Sequence, residues 1–572
     1  MKTANRELLR FFLQLCRGYW QSNKKWTAWV LLTGTLLLNL GVVDIMLRIN
    51  EWDKGFYDVL QMYDVSSFWG LIQQFLLLMV LYVFLYTFAI YVQQMLQIKW
   101  RSWMTDGYLA DWMRKQVYYR MKVLGSDTDN PDQRISEDIS QFAELSLQLF
   151  VGFFKQFVTV IGFGVVLWNL SEVIMVPLGS MSFEIHGYIL WCSLLYAIVG
   201  TYLAHRVGRR LIGLSFEQQR FEADFRFSMM RARENSESIA FYDGEAVESS
   251  GFRSNFANVI RNYWGLMRQN KLLNFYASGY GQIAVIFPIF LVMPSYFSGA
   301  LMLGGFMQAI GAFEQVQAAL SYFVDSYATI AELVAVTQRL YGFTEHMQAV
   351  STLESDVSSQ ESAVDALGFE NIMVQLPDGR TLLQDCTLTL AAGSHTLITG
   401  PSGCGKSTLL RTTAGLWPFG HGTLKMPKGC QVFFLPQRPY LPMGSLRRAV
   451  YYPLVEQKDD TELRQILHLV GMDKVIDQLD VVDDWSRILS LGEQQRIAFA
   501  RVLLMKPQWV FLDEATSALD EGWERTMYEL LKKKLPATGF ISVGHRSSLF
   551  VQHEEELHLT GDGNWNLRPI SV

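Results

Sequence analysis

The sequence predicts a multidomain membrane protein, an all-α half that crosses a bilayer six times followed by an α/β half built on a P-loop. Three observations carry this. Six stretches, near 28–48, 68–92, 148–170, 186–205, 273–295 and 306–330, are apolar over roughly the 20 residues a bilayer demands. From Ala366 onward, strand-like and helix-like patterns alternate. Within that alternation, Gly400-Pro401-Ser402-Gly403-Cys404-Gly405-Lys406-Ser407-Thr408 follows the apolar β-prone run from His395 to Thr399 and precedes the amphipathic run opening at Leu409-Leu410. That is the strand–loop–helix order of a phosphate cradle.

The chain has 572 residues, more than one ordinary domain. Half are hydrophobic, concentrated in an apolar first 345 residues ahead of a polar remainder. The division expected is a transmembrane domain over 1–345, a Ser- and acid-rich linker over 346–365, and a nucleotide-binding domain over 366–572. A net charge of −6 offers no electrostatic footing for nucleic acid. The five cysteines (16, 192, 386, 404, 430) lack Cys-x-x-Cys spacing and read as reduced thiols. Near the N-terminus, Arg6, Arg10 and Arg17 alternate with Leu8, Leu9, Phe11, Phe12 and Leu15, which suits an amphipathic helix on the lipid bilayer surface rather than a cleaved signal peptide.

Loop charge predicts orientation. Six Lys/Arg precede Trp26, seven lie between Gln93 and Ala143, and eleven between Arg206 and Lys271, whereas the opposite loops (49–67, 171–185, 296–305) hold only Lys54. Both termini are therefore expected in the cytoplasm. Lys155 interrupts the third span and is expected near an interface, where it can snorkel. The two basic loops carry turn signals, in Asn130-Pro131-Asp132-Gln133-Arg134-Ile135 and in Glu237-Ser238-Ile239-Ala240-Phe241-Tyr242-Asp243-Gly244, and suit helices that project and dock on the nucleotide module. In the sixth span, Glu314, Gln317, Ser321 and Asp325 recur at helical spacing on one face. A polar stripe in a span suits a translocation pathway for hydrophilic or cationic cargo; the alternative is that the helix is already cytosolic from Asp325 on.

The P-loop glycines let backbone N–H groups wrap a polyphosphate, with Lys406 reaching the β- and γ-phosphates of ATP and the Ser407 hydroxyl ligating Mg²⁺. Trp509-Val510-Phe511-Leu512-Asp513-Glu514 is an apolar strand ending in two acids. Asp513 suits Mg²⁺ coordination through water, and Glu514 suits deprotonation of an attacking water.

Between these motifs, Leu489-Ser490-Leu491-Gly492-Glu493-Gln494-Gln495-Arg496 resembles the LSGGQ signature of ABC ATPases. Gln437 falls where that family has its Q-loop glutamine, Ser517-Ala518-Leu519-Asp520 resembles its D-loop, and His545, after the apolar run from Phe540 to Val543, matches its switch histidine. The resemblance implies an all-α six-helix exporter-type transmembrane domain followed by an ABC nucleotide-binding domain. It implies catalytic roles for Glu514, His545 and Gln437, Mg²⁺ contact by Gln437 beside Ser407 and Asp513, and ATP contact by Ser490, Gly492 and Asp520. Because ABC domains work head to tail, it also implies a homodimer in which Ser490 and Gly492 of one copy complete the γ-phosphate site of the other. Two departures stand out: Leu491 and Glu493 replace a glycine and a glutamine of the signature, and Leu376, before Pro377-Asp378-Gly379, stands where most members stack an aromatic ring on adenine.

Leu416-Trp417-Pro418, Pro436-Gln437-Arg438-Pro439-Tyr440, Gly444-Ser445-Leu446-Arg447, the two loop segments above and Gly563-Asn564-Trp565 resemble the D subfamily of peroxisomal and lysosomal half-transporters. The membrane half is also similar to bacterial inner-membrane peptide-uptake proteins of the SbmA/BacA type. These resemblances imply a transporter taking up a small-molecule or peptide substrate (cobalamin-, bleomycin- or peptide-like) across a bacterial inner membrane. A fatty acyl-CoA or lipid carrier, an ATP-gated channel or a regulatory membrane ATPase are the alternatives in function, and a peroxisomal or lysosomal membrane is the alternative in location.

Overall fold

The computed structural model describes residues 2–571 apart from 124–129, 172–173, 179–180, 353–355 and 456–459. The chain folds as two compact units, one of residues 1–111 and 129–345, the other of 112–128 and 346–572.

The first unit is helical. It holds α1 (Lys2–Trp20), α2 (Lys25–Met62), α3 (Val65–Met113), α5 (Ile139–Leu170), α6 (Tyr188–Glu234), α7 (Ser236–Phe241), α8 (Glu245–Phe297), α9 (Leu303–Asp325) and α10 (Tyr327–Ser351), the last residues of α3 and α10 passing into the second unit, where α4 (Val117–Val123) also lies. Six of its helical segments are long and apolar enough to cross a membrane among the described residues. They outrun the apolar stretches that predicted them. At 1.5 Å per residue the 47 residues of α6 extend about 70 Å, more than twice the roughly 30 Å hydrocarbon core. A hairpin, β1 (Ile174–Leu178) with β2 (Met181–Ile185), joins α5 to α6.

Helix α9 is the hub, packed against α2, α5, α6 and α8. Ala309, Ala312 and Ala319 are buried on it, small residues that let neighbouring backbones come close. Its N-terminal amides, which have no partner within the helix, are capped by side chains of α2: Gly304 N–H donates to Asp58 Oδ1 at 2.8 Å and Leu303 N–H to Gln61 Oε1 at 2.8 Å. On the polar stripe, Glu314 is exposed, while Gln317 and Ser321 are half-buried and meet the Tyr280 hydroxyl of α8; the Asp325 side chain lies outside the described residues. The Lys155 ammonium stands 5.7 Å from the centre of the Tyr86 ring.

The second unit is α/β. Its six-stranded sheet combines β6 (His395–Thr399), β8 (Val432–Leu435), β9 (Trp509–Asp513), β10 (Gly539–Val543), β11 (Glu555–Leu559) and β12 (Trp565–Pro569) in the order β12-β11-β6-β10-β9-β8. Only β12 runs antiparallel to its neighbour. Apolar side chains leave β9 on both faces, Val510 and Leu512 into one core and Trp509 and Phe511 into the other, as a sheet covered on both sides requires. A second sheet has the order β3 (Asp356–Ser362), β7 (Gly420–Pro427), β4 (Ala366–Gln375), β5 (Thr381–Ala391).

Two boundaries differ from the expectation. Within the stretch expected as a linker, 346–351 and 356–362 are regular structure: α10 runs to Ser351, and β3 pairs along its whole length with β7. The strand is polar and exposed because its order comes from backbone hydrogen bonds, which leave no apolar alternation to read. Residues 112–123 lie inside the span assigned to the membrane domain, yet they cluster with the second unit. The chain breaks after α3 at Lys115 and Gln116, both with positive φ, and α4 then buries Val117 and Met121, with Val123 packed on the second unit's core.

Candidate nucleotide-binding and catalytic site

The site is assembled at the C-terminal ends of β6, β9 and β10. Leaving β6, the chain turns at Gly400 with φ 140, where a Cβ would come within 2.2 Å of the Leu559 carbonyl oxygen, so no side chain fits. It then wraps through Pro401, Ser402, Gly403, Cys404 and Gly405 into α11 (Lys406–Thr413), leaving the helix N-terminus facing the loop. Lys406 is buried, its Nζ donating to the carbonyls of Gly400 and Pro401 at 2.8 Å each. The Ser407 hydroxyl donates to Asp513 Oδ1 at 2.7 Å.

Past Asp513, Glu514 adopts φ 50, a left-handed backbone that costs a non-glycine residue on the order of 1–3 kcal/mol. The turn is held by its N–H donating to the Val543 carbonyl at 3.1 Å. It presents the carboxylate to two groups from other loops: Gln437 Nε2 donates to Oε2 at 3.0 Å, and His545 Nε2 lies 3.9 Å from Oε1. Lys406, Ser407, Asp513, Gln437, Glu514 and His545, spread over 140 residues of sequence, thus form one constellation. A hydroxyl, a carboxylate and an amide are the hard oxygen donors that Mg²⁺ prefers, so this set fits that ion.

Ser490, Gly492 and Asp520 do not join the constellation; among the described residues they make no hydrogen bond to it. Ser490 is the N-cap of α12 (Leu491–Met505) in a reciprocal capping box with Glu493, and its hydroxyl also donates to Glu493 Oε2 at 2.9 Å. Burial works to raise the Glu493 carboxyl, but hydrogen bonds from Lys474 and Ser490 outweigh it and hold the group below its usual range. Gly492 passes so close to the Ala518 carbonyl that a Cβ would sit 2.9 Å from its oxygen. Asp520 caps α13 (Glu521–Lys534), accepting from Trp523 N–H at 2.8 Å. Leu376 is half-buried beside the turn at Pro377–Gly379.

Motif reading missed the braces behind the site. Gln495 and Arg501 of α12 are buried among apolar neighbours. Arg501 donates to the Tyr440 carbonyl at 2.8 Å and to that of Ala449 at 2.6 Å. Arg546 donates to the carbonyls of Leu519 at 2.7 Å and Ser517 at 2.9 Å. The sequence does hold a signal for the first two: they share a helical face with Ala498 and Val502, where apolar residues are the rule.

Comparison with known proteins decides the family. Residues 15–297 match the model of ABC transporter transmembrane region 2, and residues 383–517 match the ABC transporter model. The inner membrane ABC transporter ATP-binding protein YddA of Escherichia coli (strain K12) is 32% identical over 95% of this chain and 96% of its own length. The chain belongs to the ABC transporter family. The transporter is also 30% identical to ABC transporter D family member 2, chloroplastic, of Arabidopsis thaliana, over 99% of this chain and 89% of that protein. It is 29% identical to the human lysosomal cobalamin transporter ABCD4, over 99% and 97%. A solved structure of a bacterial Atm1-family ABC exporter with ATP bound shares its fold, with a TM-score of 0.72, 16% identity and coverage of 93% and 94%. The six apolar helices and the α/β domain are therefore the two halves of an ATP-hydrolysing membrane transporter.

Proposed function

We propose that the transporter works as a homodimer in a bacterial inner membrane, with both termini cytoplasmic, and takes up a hydrophilic or amphipathic solute of cobalamin-, bleomycin- or peptide-like chemistry. The observation that carries the catalytic part is the Glu514 carboxylate, held on a strained backbone between Gln437 and His545 beside the Ser407–Asp513 pair. In this reading Gly400 to Thr408 bind the polyphosphate of ATP through backbone N–H groups, and Lys406 exchanges its loop carbonyls for the β- and γ-phosphates. Ser407, Asp513 and Gln437 hold Mg²⁺, which when bound neutralises phosphate charge. Glu514 takes the proton of the attacking water, Gln437 orients that carboxylate, and His545 stands toward the phosphoryl group. Ser490, Gly492 and Asp520 serve the site of the second copy, which accounts for the lack, among the described residues, of hydrogen bonds from them to the constellation of their own chain. Phe241, 78% exposed, and Tyr242, 82% exposed, support a second copy too, as adjacent aromatics at a helix tip seldom face water unpartnered.

The cargo reading draws on the polar face of Glu314, Gln317, Ser321 and Asp325, on outer loops with Lys54 as their sole basic residue, and on the cobalamin transport for which the human relative is named. Proteoliposomes offered cobalamin, bleomycin, peptides and acyl-CoA test it. A hydrophilic solute is expected to stimulate ATPase activity and to accumulate, and Glu514→Gln is expected to lower the hydrolysis rate about a hundredfold or more and stop accumulation. Stimulation by acyl-CoA alone would replace this cargo with a lipid one. Flux down a gradient that survives Glu514→Gln would make the protein a gated channel.

A further inference from the structure

Gln495 is 0% exposed, and a buried primary amide needs partners for two N–H donors and one oxygen. All three are met. Its Nε2 donates to the backbone carbonyl of Gln437 at 2.9 Å and to Ser517 Oγ at 3.2 Å, and its Oε1 accepts from Ala518 N–H at 3.0 Å. A backbone carbonyl can only accept and a backbone N–H can only donate, so the amide has a single orientation. Three functional segments therefore meet at one side chain: the helix capped by Ser490, the loop whose Gln437 side chain bonds Glu514, and the loop from Ser517 to Asp520. Arg546, next to His545, grips the last of these from its own side through the carbonyls of Ser517 and Leu519.

We propose that Gln495 is a positioning residue that makes the water-activating side of one nucleotide site move together with the signature segment that the same chain offers to its partner. The proposal rests on the composite-site reading above. Ser490 and Gln495 lie five residues apart at the start of one rigid helix, so a shift at Gln437 passes to Ser490 through a single amide. The loop at Ser517 and Ala518 travels with it. Without the amide, both half-sites keep their residues but respond to nucleotide independently.

The test uses the full-length transporter in lipid nanodiscs. Gln495→Met keeps the side-chain length and removes all three bonds. It is expected to lower kcat for ATP at least about tenfold, leave KM for MgATP within about twofold, and bring the Hill coefficient for ATP from above 1 down to 1. Gln495→Glu supplies an independent signature: the protonated acid can still donate one hydrogen bond and accept one, whereas the carboxylate cannot donate. Cooperativity in that variant is expected at low pH and lost as pH rises, with no such dependence in the parent. A cooperative Gln495→Met protein overturns the proposal, whatever its kcat. Should that variant fail to fold, a pH-independent Hill coefficient in Gln495→Glu overturns it instead. If the parent is itself non-cooperative, or a mixed dimer of Lys406→Ala and Ser490→Ala chains recovers no ATPase activity, the composite-site reading fails and takes this inference with it.

Discussion

The Ser490 hydroxyl cannot serve two acceptors with its one proton. It donates to Glu493 Oε2, and the same carboxylate takes the Ser490 backbone N–H and an ion pair from Lys474. To meet a phosphate oxygen, the hydroxyl has to leave an ionised acceptor, and charge-assisted bonds are roughly twice as strong as neutral ones. Glu493→Gln weakens that competition, and a difference near 1 kcal/mol corresponds to about fivefold. Half-saturation of the ATPase is thus expected at about fivefold lower MgATP; a higher value would show that the glutamate assists nucleotide engagement instead. The departure of residue 493 from the signature is visible in the sequence. Its pairing with Lys474 is not, because that lysine belongs to a separate short helix, 19 residues away in the chain.

Between elements, hydrogen-bond direction fixes states that no single element reveals. Tyr528 of α13 donates to Ser542 of β10 at 2.9 Å, Ser542 Oγ meets His553 Nε2 at 2.8 Å, and His553 Nδ1 meets the Leu549 carbonyl at 2.7 Å. The carbonyl can only accept, so Nδ1 carries the proton and Nε2 accepts from Ser542, giving one continuous neutral relay. Burial, foremost, lowers the His553 pKa from 6.5 to about 4. Between those values the unfolded chain binds a proton that the folded chain refuses. The stability held above pH 6.5 is therefore lost as pH falls toward 4, by up to about 3 kcal/mol. Denaturant unfolding of the full-length protein, followed by tryptophan fluorescence, is expected to show this loss, and His553→Gln to flatten it. The same lesson holds in the membrane half. Asp138 is buried with Arg134 four residues before it, a pair legible at helical spacing, but Arg339 also grips it, with Nη2 2.6 Å from Oδ1, across 201 residues. Periodicity finds the first partner and has no access to the second.

At the scale of the molecule, the composite-site reading makes a prediction that single chains cannot satisfy. Lys406→Ala disables a P-loop and Ser490→Ala disables a signature, so each homodimer is expected to be inactive. A mixed dimer holds one site damaged on both sides and one site intact. Random co-assembly of equal amounts is expected to restore roughly a quarter of the parent ATPase rate, half the dimers being mixed and each having one of two sites. No recovery would mean that the two residues belong to the site of one chain. The sequence by itself determined the six apolar spans, the alternating α/β half and the residue types that the structure gathers beside the P-loop, because span length, strand–loop–helix order and residue chemistry are local properties. Tertiary structure decided that a polar segment at 356–362 is a strand, that residues 112–123 leave the membrane unit for the nucleotide one, and that Gln495 ties its own helix to two loops. Those outcomes depend on which distant backbone groups and apolar faces lack partners until the chain has folded, and spacing along a sequence carries no record of that.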